Sequence, residues 1–285
     1  MSTPRRLELD SSVRRTATET SRGAFATLLC PPAGSSLPRG NAIVLPGFTG
    51  SKEDFGELLP LLADVGWQVA TYDQRGQFET SGGPDDDFSL EGYAADLVAV
   101  AETLFGLEER VHLVGHSFGG LVASTAAVAE PDRWASLTLM CSGPGGFVDT
   151  KGAEAREGAA QIERDGLEQA YAFKVRRDLE RGRPAPAEEV AGFLHHRFLS
   201  NSSESLAAMA RLLASAPDLT SSLADIGIPV AVLRGEDDDA WSHEVQDALA
   251  EALGTSVVVI GEAAHSPAVE QPEATRDALA RIWMS

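Results

Sequence analysis

Residues 115–119 read Gly-His-Ser-Phe-Gly and place a serine between two glycines. An apolar segment at 111–114 predicts a strand directly before this motif, and residues 118–129 predict a helix directly after it. A nucleophile at a tight strand-to-helix turn needs small neighbours, because the backbone is strained there and larger side chains would collide with adjacent strands. Ser117 is therefore the candidate nucleophile of an acyl-transfer reaction.

A serine hydroxyl becomes a useful nucleophile only when a base takes its proton. Of the six histidines, only His265 lies in a short loop, residues 261–267, that follows a predicted strand and precedes the last predicted helix. This loop returns to the sheet edge where Ser117 is expected, so His265 is the candidate base. The other five lie in a strand, in the serine turn or in helical stretches, where packing roles are expected: His112, His116, His195, His196 and His243.

A third group must orient the imidazole and stabilise the imidazolium that forms in the transition state. Four consecutive acids, residues 236–239, follow the predicted strand at 230–233. They supply a carboxylate between serine and histidine in the chain, an order typical of this arrangement. Asp237, Asp238 and Asp239 are all candidates from their position alone, and a solvated turn or a cation site is the alternative for these acids.

The developing oxyanion needs hydrogen-bond donors. Residues 46–50, Pro-Gly-Phe-Thr-Gly, follow the predicted strand at 41–45. The backbone N–H groups of Phe48 and Phe118 are expected to form the oxyanion hole, although a plain glycine-rich turn would have a similar sequence. The rings of Phe48, Phe118 and Trp241 are candidates for an apolar substrate pocket, with Phe193 and Phe198 as further contacts, and core packing is the equal alternative for each.

Short apolar strands alternate with helical segments through most of the chain, at 24–30, 41–45, 67–72, 111–114, 136–140, 230–233 and 256–260. This alternation predicts an α/β fold, with a mostly parallel central sheet and helices on both faces. Residues 52–65 and 90–105 have helical spacing, each segment between two of the strands.

No buried strand is expected between residues 144 and 217, where the sequence is charged and favours helices. We interpret this stretch as a helical lid or cap inserted over the ligand-binding edge of the sheet. The expected organisation is a core formed by residues 1–143 and 218–285, interrupted by a lid at 144–217.

Five motifs in order, around residues 45–48, 73–76, 115–120, 235–238 and 264–267, make the sequence resemble the α/β-hydrolase fold superfamily, in particular its serine-nucleophile, esterase-like members. The resemblance covers nearly the whole chain outside the lid. It favours Asp238, the third residue after the strand-end Gly235, as the triad acid. Pro46 stands where the family commonly has histidine, a change that leaves the backbone donor of Phe48 in place.

The resemblance implies a cofactor-free and metal-free hydrolase that cleaves an ester, lactone or thioester of a small apolar substrate through an acyl-enzyme. A C–C bond hydrolase of the meta-cleavage type has the same fold, triad and lid. Epoxide hydrolases and dehalogenases are disfavoured because those relatives carry aspartate where Ser117 stands. A small-molecule receptor or a non-hydrolytic cyclase is the alternative from another functional class.

The 43 acidic residues exceed the 23 Lys and Arg by twenty, a balance that disfavours nucleic acid and anionic membrane surfaces as partners. Cys30 and Cys141 lie in apolar segments without the spacing of a disulfide framework or a zinc site. No apolar stretch reaches the length of a membrane span. We expect a cytoplasmic protein whose partner is a small-molecule substrate, and a homodimer is compatible with this sequence.

Overall fold

A sheet of eight strands organises the part of the chain that the computed structural model describes, residues 2–34, 37–148, 150–182 and 185–284. The strands follow the order β1-β2-β4-β3-β5-β6-β7-β8 across the sheet. The pairs β1–β2 and β2–β4 are antiparallel, and all the other neighbouring pairs are parallel. The strands are β1 (Arg14–Thr20), β2 (Gly23–Cys30), β3 (Asn41–Leu45), β4 (Gln68–Tyr72), β5 (Val111–His116), β6 (Trp134–Met140), β7 (Val230–Gly235) and β8 (Val258–Ile260).

Helices cover both faces of this sheet. They are α1 (Leu58–Asp64), α2 (Leu90–Phe105), α3 (Phe118–Ala129), α4 (Thr150–Glu180), α5 (Glu188–Leu199), α6 (Ser203–Leu213), α7 (Thr220–Asp225), α8 (His243–Ala252), α9 (Pro267–Glu270) and α10 (Pro272–Met284), with 3₁₀ turns at Lys52–Phe55 and Pro131–Arg133. Helix α4 is interrupted at Gly166, which has a left-handed φ of 80°. This architecture confirms the predicted fold class, an α/β-hydrolase fold.

The alternation of side chains along β3 shows how the core forms. Ile43 and Leu45 point into an apolar cluster shared with α2, α3 and α8, whereas Ala42 and Val44 point into a second cluster shared with α1 and α10. All five residues of β3 are buried. A central parallel strand covered on both faces reads as a continuous apolar run, which is why this strand was predictable.

Strand β1 and the segment after the turn that follows β3 differ from the sequence-based expectation. Strand β1 was not predicted, because it is a mostly exposed edge strand of polar residues that lacks an apolar face. The single helix expected at 52–65 is instead a 3₁₀ turn followed by α1. The turn buries charged side chains, since Lys52 donates to Asp73 at 2.7 Å and is fully buried. The need to pair these charges overrides the apolar spacing.

Between β6 and β7 the described residues of 144–217 contain helices α4, α5 and α6 and no strand. These helices share an apolar cluster of their own, which also contacts Phe48. Arg197 of α5, fully buried, donates to the Asp54 carboxylate at 2.6 Å. We call residues 144–217 the helical insertion, and this ion pair fixes it to the 3₁₀ turn at Lys52–Phe55.

Parallel pairing brings the carboxyl ends of six strands to one edge of the sheet. Leu45 pairs with Gly115, His116 with Met140, and Gly235 with Ile260. Ligands bind at this edge in open α/β sheets. Among the described residues, no helix is sufficiently long and apolar to cross a membrane. Cys30 and Cys141 are both buried free thiols.

Candidate active site

Ser117 stands at the turn between β5 and α3 with φ 54° and ψ −120°, a backbone conformation that residues with a side chain rarely adopt. Such strain costs on the order of 1–3 kcal/mol and persists only where the surroundings enforce it. Here the Ser117 N–H donates to the Met140 carbonyl at 3.0 Å, and its carbonyl accepts from Ser142 Oγ at 2.8 Å. Neighbouring strand ends therefore hold the serine in place.

The glycines of the motif are required by close backbone contacts. A methyl group at Gly115 would lie 2.4 Å from the Gly119 carbonyl oxygen, and one at Gly119 would lie 2.7 Å from the Leu45 carbonyl oxygen. These distances are far below a van der Waals contact. Glycine at both positions therefore allows α3 to begin in direct contact with β3 and β5.

The loop after β8 brings His265 to the loop after β7. His265 Nδ1 lies 2.7 Å from Asp238 Oδ1. Among the four acids at 236–239, Asp238 is the one that is buried, while Glu236, Asp237 and Asp239 are exposed. The structure therefore joins two of the three residues predicted for the triad and selects Asp238 as the carboxylate that contacts the histidine.

Asp238 accepts two further hydrogen bonds, from the Ala240 N–H at 3.1 Å and from Gln246 Nε2 at 2.9 Å. Burial acts to raise the pKa of the Asp238 carboxyl, but the hydrogen bond and charge of His265, together with these two donors, outweigh it and lower the pKa. Asp238 is consequently ionised at neutral pH and can stabilise a protonated His265.

His116, the residue before the nucleophile, fixes the position of the His265 loop. Its Nε2 atom lies 2.6 Å from the His265 carbonyl oxygen, and the two rings are 5.0 Å apart. Because a carbonyl oxygen only accepts, Nε2 must carry the proton. Burial, with the charge of His265 as the second cause, lowers the pKa of His116 to about 3. His116 is therefore a neutral donor that links β5 to the loop after β8.

The turn after β3 lies directly beside the nucleophile, since a methyl group at Gly47 would be 3.0 Å from the Ser117 Cβ atom. Within the described parts of the chain, the backbone N–H groups of Phe48 and Phe118 have no acceptor at hydrogen-bond distance. Both groups are thus available to a ligand atom. Thr49, next in the turn, has a left-handed φ of 61°, and the Gly50 N–H closes the turn onto the Gly47 carbonyl at 3.0 Å.

The aromatic side chains proposed for a pocket lie in different surroundings. Phe198 belongs to the apolar cluster of the helical insertion, which also contacts Phe48. Phe193 packs edge-on against Phe78, with ring centroids 5.7 Å apart. The ring of Phe118 is fully buried and packs edge-on against Tyr93 in the core. It therefore belongs to the core and does not line a pocket, contrary to the expectation.

Trp241 is 4% exposed and packs on Phe147 with ring centroids 4.4 Å apart. Its Nε1 atom donates to the Gly145 carbonyl at 3.1 Å. Trp241 therefore holds the start of the helical insertion in place. Contact with substrate remains a prediction for Trp241 and for Phe193.

His116, Cys141 and His265 form a group whose potential metal-ligating atoms all lie within 4.8 Å of one another. Burial raises the pKa of the Cys141 thiol well above its ordinary value, so the thiolate that a soft metal requires is disfavoured. The Nε2 atom of His116 is already engaged with the His265 carbonyl. This group fits a metal poorly. Among the described residues, the acids at 236–239 do not converge into such a group.

The other histidines lie elsewhere. His195 contacts the ring of Tyr171, and His196 contacts the ring of Phe78. The ring of His112 stacks on Trp283. Sequence reasoning missed Ser142 and Gln246, which support Ser117 and Asp238, respectively. Neither lies in a recognisable motif, because each contact joins residues from different elements.

Three features of the site define a class of protein, the α/β hydrolases. They are a strained serine between strand and helix, a buried carboxylate bonded to a histidine, and a parallel sheet that brings these residues to one edge. The chain belongs to the alpha/beta hydrolase family, whose model matches residues 42–278. The resemblance predicted from the motifs is confirmed.

Particular relatives cover most of the chain. It is 26% identical over 215 residues to 3-oxoadipate enol-lactonase 2 of Acinetobacter baylyi, covering 75% of this chain and 78% of the lactonase. It is 27% identical over 246 residues to karrikin insensitive 2 receptor IA of Petunia hybrida, covering 82% and 87%. A solved structure of a thermophilic esterase from Thermogutta terrifontis superposes with a TM-score of 0.75 at 26% identity, covering 95% of this chain and 98% of the esterase. The lactonase and the esterase support hydrolytic activity for this chain.

Proposed function

We propose that this protein is a serine hydrolase that cleaves an ester-like bond, in a carboxylic ester, a lactone or a thioester, of a small apolar substrate. The observation that carries the proposal is the 2.7 Å contact between His265 Nδ1 and Asp238 Oδ1 at the sheet edge where Ser117 is held in its strained turn. The similarity to an enol-lactonase and an esterase supports the same bond class.

In the proposed acylation step, His265 takes the proton of the Ser117 hydroxyl while Ser117 Oγ attacks the substrate carbonyl carbon. The negative charge that develops on the carbonyl oxygen is stabilised by the N–H groups of Phe48 and Phe118. Asp238 stabilises the imidazolium. His265 then gives its proton to the leaving alkoxide or thiolate, and an acyl-enzyme remains.

In the proposed deacylation step, water replaces the leaving group. His265 takes a proton from this water as the water oxygen attacks the acyl carbonyl, and the same donors stabilise the second oxyanion. When the tetrahedral intermediate collapses, His265 returns the proton to Ser117 Oγ. The products are a carboxylic acid and the regenerated hydroxyl of Ser117.

The preference for a small apolar substrate rests on the surroundings of Ser117, which is only 7% exposed. Phe48 belongs to the turn after β3 and packs against the apolar cluster of the helical insertion, which includes Phe198. We infer that the insertion acts as a lid and that the acyl group contacts these rings. The net charge of −20 supports a neutral substrate rather than a polyanion.

A second candidate is a ligand receptor that retains the hydrolase fold, because one relative of similar coverage is named as the karrikin insensitive 2 receptor IA. A receptor and a hydrolase differ in turnover. A chain that releases product repeatedly acts as an enzyme, whereas a receptor binds its ligand and gives at most one acyl transfer per molecule.

Labelling with a fluorophosphonate probe, followed by hydrolysis of p-nitrophenyl esters of increasing acyl length, tests the proposal. We expect labelling at Ser117, multiple turnovers, and a preference for short acyl chains. Ser117→Ala and His265→Ala should each abolish turnover, and their combination should cost little more, because the two residues act as a unit.

His195→Ala is the matched control, because His195 is only partly buried and contacts Glu168 in the helical insertion. It should keep turnover within about tenfold of the wild type. Labelling that persists in Ser117→Ala, or a collapse of turnover in His195→Ala, would show that the nucleophile or the base has been assigned to the wrong residue.

A further inference from the structure

Two buried glutamines hold the turn that follows β3. Gln77 Nε2 donates to the Gly47 carbonyl at 3.0 Å, and Gln74 Nε2 donates to the Pro46 carbonyl at 2.9 Å. Gln77 is fully buried and Gln74 is 1% exposed. Both come from the segment after β4, the strand that pairs with β3. Two consecutive peptide groups of the turn are therefore fixed by side chains from a neighbouring element.

The orientation of the Gln77 amide is itself determined by its partners. Its Oε1 atom accepts from the Gln74 N–H at 3.2 Å, which leaves Nε2 to face the turn. The second Nε2 hydrogen faces Met209 Sδ in α6, at 3.8 Å. A reversed amide would place oxygen against the Gly47 carbonyl oxygen and nitrogen against an N–H donor. Only the observed orientation satisfies this buried side chain.

Fixing the Gly47 carbonyl also fixes the Phe48 N–H, because the two belong to one planar peptide group. The described residues contain no cis peptide bond, so the carbonyl and the N–H point in opposite directions. Gln77 and the Gly50 N–H both hold the carbonyl. The Phe48 N–H is thereby left directed away from them and without an acceptor in the described chain.

We propose that Gln77 is a positioning residue for catalysis, which holds the Gly47–Phe48 peptide so that the Phe48 N–H is directed at the oxyanion. The inference rests on the proposed function, since it needs an oxyanion to form beside Ser117. Gln77 does not touch the reacting atoms. It acts by keeping a donor aligned before the reaction begins, which is the property that makes such donors effective.

The expected effect is smaller than the loss of a donor. Removing one oxyanion donor costs about 100- to 1000-fold in kcat. A Phe48 peptide released by Gln77 still has its N–H and can still reach the oxyanion for part of the time, so we expect kcat to fall by roughly 10- to 100-fold. KM should stay within about threefold, because the ground-state carbonyl depends less on this donor than the transition state does.

The first test compares Gln77→Met with Asn41→Leu. Each substitution replaces a buried amide by an apolar side chain of similar size. Asn41 begins β3 and is 8% exposed, with its Nδ2 atom 3.5 Å from Glu109 Oε2, so it lies at the end of the strand opposite the turn. Thermal stability and p-nitrophenyl ester kinetics are measured for both. We expect kcat to fall in Gln77→Met alone.

The second test uses Gln77→Glu and does not depend on the methionine variant folding. A protonated carboxylic acid can accept from the Gln74 N–H and donate to the Gly47 carbonyl, as the amide does, but a carboxylate cannot donate. Burial should raise the pKa of the introduced carboxyl. The ratio of mutant to wild-type kcat should therefore rise at least about fivefold between roughly pH 8 and pH 5.5.

The outcomes separate the two proposals. If the wild type is neither labelled by the fluorophosphonate nor active on esters, the proposed function fails and this inference fails with it. If the wild type is labelled and active, three results would overturn the inference alone. These are a kcat of Gln77→Met within about threefold of wild type, equal losses in Gln77→Met and Asn41→Leu that follow their stability, or a pH-independent ratio for Gln77→Glu.

Discussion

Asp238→Asn is the substitution that tests the triad most directly. The carboxylate accepts from His265 Nδ1 and the Ala240 N–H through Oδ1, and from Gln246 Nε2 through Oδ2. An asparagine has one acceptor oxygen. If it faces His265 and Ala240, its NH₂ group opposes the Gln246 amide, and if it faces Gln246, its NH₂ group opposes the other two donors.

Both placements therefore leave at least one buried donor without an acceptor, which costs about 1–3 kcal/mol of stability. The catalytic loss should be greater, because the imidazolium loses its counter-charge and one placement imposes the wrong tautomer on His265. By analogy with the serine protease triad, we expect kcat to fall about 10,000-fold. This corresponds to about 5 kcal/mol of transition-state stabilisation.

The assay is p-nitrophenyl ester hydrolysis at saturating substrate, with folding checked by thermal denaturation. Asp237→Asn and Asp239→Asn are the controls, because both residues are exposed and the carboxylate bonded to His265 is that of Asp238. They should change stability by less than about 0.5 kcal/mol and keep near-normal kcat. An Asp238→Asn enzyme with kcat within about tenfold of the wild type would refute the reasoning, and a collapse in one of the controls would assign the acid to that residue.

Three further predictions concern stability. Burial is the largest cause that lowers the folded-state pKa of His116 to about 3, and burial lowers the folded-state pKa of His112 to about 4. Histidine in the unfolded chain has a pKa near 6.5. Below that pH the unfolded chain therefore takes up protons that these two residues do not bind in the folded protein. The contribution of these two residues to the free energy of unfolding should be complete above about pH 6.5 and should be lost as the pH drops towards 4. The loss should reach up to about 1.4 kcal/mol per pH unit from His116, and His112 should add to it. Urea denaturation at several pH values measures this free energy, and a flat profile would contradict the prediction. Gly119→Ala should prevent folding, whereas Gly158→Ala, with nothing within 4 Å of the added methyl group, should stabilise the helix by up to about 1 kcal/mol, as thermal melts of the soluble fraction would show. Arg197→Ala leaves a buried carboxylate without its partner and should cost about 3–5 kcal/mol in urea denaturation, and a loss below about 1 kcal/mol would mean that the ion pair does not fix the helical insertion to the core.

Much of the fold was predictable because its signals are local. The expected strand at 41–45 and the expected helices at 90–105 and 118–129 coincide with β3, α2 and α3. Each is specified by an apolar pattern within its own residues, and α2 is capped by the preceding Ser89, whose side chain accepts from the Gly92 N–H. Strand β1 was missed, because an exposed edge strand has no apolar pattern to report.

The sequence by itself also identified Ser117, since its glycine-flanked turn is determined by residues next to it in the chain. The acidic run alone left Asp237, Asp238 and Asp239 as candidates, and the family resemblance favoured Asp238. Only the tertiary structure buries Asp238 against His265, 27 residues away. The contacts made by His116, Gln246 and Gln77 were likewise decided by the tertiary structure. The physical reason is that each needs a donor and an acceptor from different elements to meet at one sheet edge, and this meeting depends on strand order and register rather than on any local pattern.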